Sequence, residues 1–176
     1  TSEGVDIMLA MDVSGSMRAY DLGDQERLDA AKEVVDRFIS GRQSDRIGMV
    51  VFAGESYLQC PLTVDYGILK NLLGNVSINM GGTIPDGTAI GMAIATAVNR
   101  LRRSEAESRV LILLTDGSNN AGIVDPLTAA HAARQVGVKI HAVGVGVHGR
   151  APVRVRDRFF GDRVEFIDDS LNEEIL

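Results

Sequence analysis

Three segments of the sequence carry oxygen-bearing side chains at spacings that could bind a cation. They are Asp12-Val13-Ser14-Gly15-Ser16, Thr115-Asp116-Gly117, and the glycine-rich loop 81–88, which contains Thr83 and Thr88. They offer carboxylates and hydroxyls, with no thiol or imidazole. Hard oxygen ligands of this kind suit Mg²⁺, Mn²⁺ or Ca²⁺ better than zinc. Two carboxylates balance a divalent charge, so a bound ion would still attract an outside anion.

Short apolar segments rich in branched residues lie at 5–11, 46–53, 110–114 and 138–145. Such segments are typical of strands buried on both faces of a parallel sheet. Between them lie two amphipathic helical patterns with apolar residues at a 3.6-residue period. These patterns are Leu28, Ala31, Val35, Phe38 and Ile39, followed by Ile90, Ile94, Ala97, Val98 and Leu101.

Several further elements complete this pattern. Asp125-Pro126 predicts the start of a third helix that ends at Gly137, and residues 66–73 predict a short helix. Residues 57–60 follow the second strand too closely for a parallel crossover, which predicts an antiparallel edge strand. Residues 164–167 predict a last strand. We therefore expect an α/β fold: a doubly wound, Rossmann-like, mostly parallel sheet of about six strands, with helices on both faces.

The predicted sheet places the polar segments together. Asp12 and Asp116 come at the carboxyl ends of two strands, and ligands of such sheets bind at that edge, where the strand order switches. Each segment alone could be an ordinary capped turn. Their joint position predicts a metal site made by Asp12, Ser14, Ser16, Asp116 and a threonine of the loop 81–88.

Composition narrows the possible functions. The 176 residues carry a net charge of −6 and are 45% hydrophobic, which predicts one domain, 1–176, with its own core. An acidic chain argues against nucleic-acid partners. The single cysteine forms no internal disulfide, and no apolar segment is long enough to cross a bilayer. The sequence stops within an apparent helix start at residues 170–174, so we expect a soluble, excised domain with a truncated C-terminal helix.

The sequence resembles the von Willebrand factor A domain at these same positions. Asp12-Val13-Ser14-Gly15-Ser16 matches the Asp-x-Ser-x-Ser of that family's metal-ion-dependent adhesion site, and Leu114-Thr115-Asp116-Gly117 matches its later aspartate. Thr88-Ala89-Ile90-Gly91 resembles the threonine loop, because glycine usually follows that threonine at the third position. Gly82-Thr83 also imitates the family's Gly-Thr pair, so Thr83 stays an alternative to Thr88.

The resemblance implies roles for these residues. Ser14, Ser16 and Thr88 would contact the metal directly, while Asp12 and Asp116 would support it through water. A glutamate or aspartate of a bound protein would complete the coordination. The implied function is therefore metal-dependent protein binding without catalysis.

A narrower resemblance is to the bacterial Bat aerotolerance proteins. Residues 45–54, 86–91 and 115–122 carry it. Bat proteins are membrane-tethered and are usually encoded beside an ATPase of the MoxR type. The resemblance implies a place in the bacterial cell envelope, with other Bat proteins or a MoxR-type ATPase system as partners. It leaves the side of the membrane open, and we take the periplasmic side as a working hypothesis.

Enzymatic alternatives fit the residues less well. A metal-dependent phosphohydrolase could use Asp12 and Asp116, but such an enzyme would be expected to place a second aspartate at position 14, which is serine. Ser14 also lacks the Gly-x-Ser-x-Gly elbow of an acyl-transfer nucleophile. Gly144-Val145-Gly146-Val147-His148-Gly149 fits a dinucleotide-binding pattern, but the residues that follow it predict extended chain rather than a helix.

Overall fold

Strands and helices alternate along the chain as the sequence predicts. The computed structural model describes residues 4–20, 24–117, 120–146, 150–157 and 161–168. Within them lie the strands β1 (Asp6–Asp12), β2 (Arg46–Phe52), β3 (Ser56–Thr63), β4 (Arg109–Thr115), β5 (Val138–Gly144), β6 (Arg150–Asp157) and β7 (Gly161–Asp168). The α-helices are α1 (Arg27–Ser40), α2 (Tyr66–Gly74), α3 (Ile90–Leu101) and α4 (Pro126–Gln135).

The main sheet has five strands in the order β3-β2-β1-β4-β5. The central strand β1 pairs in parallel with both β2 and β4, and β4 pairs in parallel with β5. The edge strand β3 pairs antiparallel with β2, which confirms the prediction from its short connection. Asp12 is aligned with Phe52, and Met11 with Leu114. The loops after β1, β2 and β4 therefore leave the sheet at the same level, on either side of the switch in strand order.

The core lies on both faces of this sheet. In β1, Ile7, Leu9 and Met11 face one cluster of buried side chains, which includes those of α1 and α2. Met8 and Ala10 face the opposite cluster, which includes those of α3 and α4. Every residue of β1 is buried, because a central strand covered by helices on both faces has no solvent side. The doubly wound α/β architecture is thus confirmed.

The number of strands in the sheet differs from the prediction of about six. Residues 164–167 do form a strand, but β7 pairs antiparallel with β6 in a separate two-stranded hairpin. The two strands pair along their whole length, from Arg150 opposite Asp168 to Asp157 opposite Gly161. The edge of β7 that faces β6 is therefore occupied by hydrogen bonds within the hairpin, and β7 is not a strand of the main sheet. The predicted C-terminal helix start lies outside the described residues.

None of the helices within the described ranges combines the length and the apolar character needed to cross a bilayer.

Candidate metal centre

Asp12 joins the ends of two neighbouring strands. It is the last residue of β1 and is fully buried. Its Oδ1 atom accepts a hydrogen bond from the Ser14 backbone N–H at 2.8 Å, and its Oδ2 atom accepts one from the Thr115 hydroxyl, also at 2.8 Å. Both carboxylate oxygens are therefore engaged, and Asp12 fixes the first loop against the end of β4.

The two serine hydroxyls of the first loop lie side by side. Residues Gly15–Arg18 form a short 3-10 turn after β1, and the Oγ atoms of Ser14 and Ser16 are 3.0 Å apart. The Ser16 hydroxyl donates to Asp116 Oδ1 at 2.9 Å. The structure thus brings Ser14, Ser16 and Asp116 into direct contact, although Ser16 and Asp116 are 100 residues apart in the chain.

The third loop is attached to the loop after β2 by backbone hydrogen bonds and to the serine turn by the side chain of Asp86. Gly54 N–H, after β2, donates to the Pro85 carbonyl at 2.8 Å, and Ala89 N–H donates to the Ala53 carbonyl at 2.7 Å. Asp86 Oδ1 accepts from Gly15 N–H at 2.9 Å. That hydrogen bond and one from a second backbone N–H hold the pKa of Asp86 below its ordinary value. Asp86 therefore ties the third loop directly to the serine turn.

The two candidate threonines of the third loop differ in burial. Thr88 is buried, and its backbone pairs with Asn120 in both directions: Thr88 N–H donates to Asn120 Oδ1 at 2.7 Å, and Asn120 N–H donates to the Thr88 carbonyl at 3.0 Å. Thr83 is exposed, at the end of the irregular turn Ile78–Gly82. The choice between them as a metal ligand stays a prediction, and the anchored loop around Thr88 favours that residue.

Arg27 is a member of the cluster that sequence reasoning missed. Its Nη1 atom lies 2.7 Å from Asp116 Oδ2, and only 13% of the arginine side chain and 1% of the aspartate side chain are exposed. Gly146 packs against the guanidinium: a Cβ atom there would lie 2.9 Å from Arg27 Cζ, and the backbone φ of +120° favours glycine. One signal was available, because Arg27 is the first residue of α1, where the helix dipole disfavours a cation.

Burial governs the electrostatics of Asp12. Loss of contact with water raises the pKa of Asp12 to about 6, and the charge of Asp116 acts in the same direction. Hydrogen bonds from Ser14 and Thr115 act in the opposite direction and do not outweigh burial. The site thus holds a carboxylate whose charged form would gain from a nearby cation.

The donor set fits a hard divalent cation. It consists of the hydroxyls of Ser14 and Ser16, the carboxylates of Asp12 and Asp116, and the buried Thr88 in the adjoining loop. In the part of the chain that the structure describes, the His, Cys, Asp and Glu side chains form no group of three or more that could hold a metal ion by itself. The candidate site therefore depends on hydroxyl oxygens as well as carboxylates. Oxygen donors of this kind bind divalent cations.

Two other sequence features lack, among the described residues, what a site would need. The residues after Gly144 include the strand β6 rather than the helix that a dinucleotide-binding loop needs, and residues 147–149 lie outside the described ranges. Cys60 is buried, and burial raises the pKa of its thiol, so it is poorly suited to act as a nucleophile.

Comparisons with known proteins agree with the fold described above. An uncharacterized protein of Borreliella burgdorferi is 33% identical over 178 residues, which is 99% of this chain and 51% of that protein. The chain therefore spans about half the length of this relative. The crystal structure of an aerotolerance-related membrane protein from Bacteroides fragilis is 34% identical, with a TM-score of 0.79, and the match covers 98% of this chain and 86% of that one.

A second solved structure, BatB from Bacteroides thetaiotaomicron, is 35% identical, also with a TM-score of 0.79. That match covers 98% of this chain and 85% of BatB. The profile of the von Willebrand factor type A domain matches residues 6–155, from the start of β1 into β6. Since this match takes in both faces of the sheet and all three loops of the polar cluster, the chain belongs to the von Willebrand factor type A domain family.

Proposed function

We propose that this chain is a non-catalytic, divalent-cation-dependent protein-binding domain. The ion is held by the first loop, the end of β4 and the third loop, and an acidic side chain of a partner protein completes its coordination. Two sets of hydrogen bonds support this proposal. One links Asp12 to β4 through the Thr115 hydroxyl. The other links Ser14 to Asp116 through Ser16. The proposed residues of the metal site are Asp12, Ser14, Ser16, Thr88 and Asp116, with the hydroxyls as direct ligands and the two aspartates acting through water.

The surroundings of Asp12 favour binding over catalysis. A phosphohydrolase of the aspartate type needs a carboxylate oxygen that can reach the phosphorus atom. Asp12 is fully buried, and both of its oxygens accept hydrogen bonds from Ser14 and Thr115. These contacts and the full burial of Asp12 suit a residue that supports metal ligands better than a nucleophile that must reach a substrate.

The similarity to the two Bacteroides proteins supports a setting for this activity. Both are about one third identical over nearly the whole chain, and one is described as an aerotolerance-related membrane protein. We therefore place this domain in a membrane-associated Bat-type complex of the bacterial cell envelope. Other Bat proteins or a MoxR-type ATPase system are the proposed partners.

A titration with Mn²⁺, followed by electron paramagnetic resonance of the free ion, tests the metal site. We expect wild type to bind one Mn²⁺ per chain, in competition with Mg²⁺, and Asp12→Ala and Ser14→Ala to lose this binding while keeping the fold. Asp36→Ala is the matched control, because it removes a carboxylate that is half exposed and pairs only at the surface with Lys70. Equal uptake by wild type and Asp12→Ala would refute the assignment.

Three further measurements separate binding from the alternatives. Hydrolysis of p-nitrophenyl phosphate with Mg²⁺, lost in Asp12→Asn, would favour a phosphohydrolase instead. Capture of an envelope protein that EDTA releases, and that Asp12→Ala does not capture, is the expected result for a metal-dependent binding domain. A metal that raises the melting temperature but leaves capture unchanged would indicate a structural role for the ion.

A further inference from the structure

The charges around the proposed ion include two arginines as well as carboxylates. Among the described residues, Asp12 and Asp116 lie at the ends of β1 and β4, and Asp86 contacts the serine turn from the third loop. Arg18 lies close enough to Asp86 to lower its pKa. Arg27 contacts Asp116 directly. These three carboxylates and two guanidiniums leave one net negative charge.

Arg27 contacts the cluster through both its backbone and its side chain. Its backbone N–H donates to the Ala19 carbonyl at 2.9 Å, at the end of the serine turn. Its guanidinium packs against Gly146, beyond the end of β5, and binds Asp116 beyond the end of β4. Little of either charged side chain is exposed, so solvent and salt screen this charge less than they screen a surface charge.

Asp116 uses its two oxygens for different partners. Oδ1 accepts from the Ser16 hydroxyl, and Oδ2 faces Arg27. The arginine therefore sets the orientation of the carboxylate and also neutralises its charge. When a divalent ion is bound and Arg27 is present, this group of side chains and the ion carry one net positive charge. When the ion is bound and Arg27 is replaced by a neutral residue, the net charge is zero.

We propose that Arg27 is a positioning residue that weakens the hold of the site on its divalent ion and thereby keeps the bound ion electrophilic toward a partner's carboxylate. This inference rests on the proposed function. A purely structural role for Arg27 makes a different prediction: its loss would disorder Asp116 and weaken the binding of both the metal and the carboxylate.

The test measures two affinities at fixed ionic strength: that of the protein for Mn²⁺, and that of the Mn²⁺-loaded protein for acetate. Mn²⁺ is followed by electron paramagnetic resonance, and acetate by the water-proton relaxation of the bound ion. For Arg27→Gln we expect Mn²⁺ to bind roughly three- to tenfold more tightly and acetate to bind roughly threefold more weakly. Arg27→Lys keeps the charge and should stay within about twofold of wild type in both.

Arg37→Gln is the matched control on the same helix. Arg37 is 63% exposed and pairs with Glu33 at 3.9 Å, ten residues or about 15 Å along α1 from Arg27. The substitution changes the net charge equally but should alter neither affinity by more than about twofold. If circular dichroism shows that Arg27→Gln does not fold, Arg27→Ala takes its place with the same expected affinities, since alanine favours the helix.

Each outcome decides the question. Unchanged or weaker Mn²⁺ binding in the neutral variant overturns the proposal, as does unchanged or tighter acetate binding. If Arg27→Lys shows the same two changes in affinity as Arg27→Gln, the proposal is also overturned, because the charge is then not the cause. If wild type binds Mn²⁺, Asp12→Ala does not, and Arg27→Gln matches Arg37→Gln, only this inference fails. If wild type takes up no Mn²⁺, the proposed function itself fails.

Discussion

Replacing Asp12 by asparagine should stabilise the protein when no divalent ion is present. Asp12 is fully buried, and its pKa is raised from 3.8 to about 6. At 1.36 kcal/mol for each pKa unit, holding this carboxylate charged in the folded state costs roughly 3 kcal/mol. Asparagine removes that cost and keeps one acceptor oxygen for Ser14 N–H. Its amide must face the Thr115 hydroxyl, which can rotate to accept a hydrogen bond.

The altered hydrogen bond to Thr115 offsets part of this stabilisation. Exchanging one hydrogen bond for a poorer one costs about 1 kcal/mol, so the net stabilisation of Asp12→Asn should be about 1–2 kcal/mol. For a chain of this length that corresponds to a melting temperature roughly 2–8 °C higher. The assay is thermal unfolding followed by circular dichroism in EDTA, at pH values from 4 to 8.

The sign of the pH dependence follows from the raised pKa. The folded state of wild type holds a proton on Asp12 more tightly than the unfolded state does, so the penalty is absent below about pH 4. It grows between pH 4 and pH 6 and is constant above that range. The advantage of Asp12→Asn should therefore appear within that window and persist at pH 7.5.

Mg²⁺ should reverse the order of stability, because it offsets the charge of Asp12 in wild type and has no site in the variant. We expect added Mg²⁺ to raise the melting temperature of wild type and to leave Asp12→Asn unchanged. An Asp12→Asn variant that is less stable than wild type at pH 7.5 in EDTA, or a difference that does not change between pH 4 and pH 7, would refute the reasoning.

Asp6 provides the opposite case as a control. Burial alone would raise the pKa of Asp6, but hydrogen bonds from Arg46 and Ser104 outweigh it, and the pKa lies below its ordinary value. The stability that this carboxylate contributes is present above the unfolded pKa and is lost as the pH falls through the folded one. Asp6→Asn should therefore lower the free energy of unfolding at pH 7.5 by about 1 kcal/mol, a modest loss because Arg46 is half exposed. The melting temperature should fall accordingly, and the difference from wild type should shrink in acid.

Two further predictions concern the elements that position the third loop and the end of β4. Gly91→Ala should lower stability by about 3 kcal/mol in chemical denaturation, because the new Cβ would lie 1.9 Å from the Val124 carbonyl oxygen. Gly74→Ala is the control, because a Cβ at that position would have no heavy atom within 4 Å. It should leave stability unchanged or raise it by up to about 1 kcal/mol. Equal stability of the two variants would contradict that packing. Asp125→Ala removes the side chain that caps α4 at 2.9 Å and should cost about 1 kcal/mol in the same assay, whereas an unchanged unfolding midpoint would show that the cap contributes nothing.

The sequence by itself determined the elements and the edge of the sheet where the polar loops lie. Branched apolar runs identified β1, β2, β4 and β5, because strands on which helices pack need apolar side chains at their buried positions. Parallel strands then place Asp12 and Asp116 at a common edge. Local pattern was sufficient for this, since burial and helical period depend on neighbours within a few residues.

Tertiary structure alone decided which side chains meet. The ion pair between Arg27 and Asp116 joins positions 89 residues apart, and the hydrogen bond from Gly15 to Asp86 spans 71. Likewise, residues 164–167 have the pattern of a strand, but only the structure shows that β7 pairs with β6. Such partners depend on strand order, register and the path of each loop. Those features are set by packing between distant segments, which local periodicity does not encode.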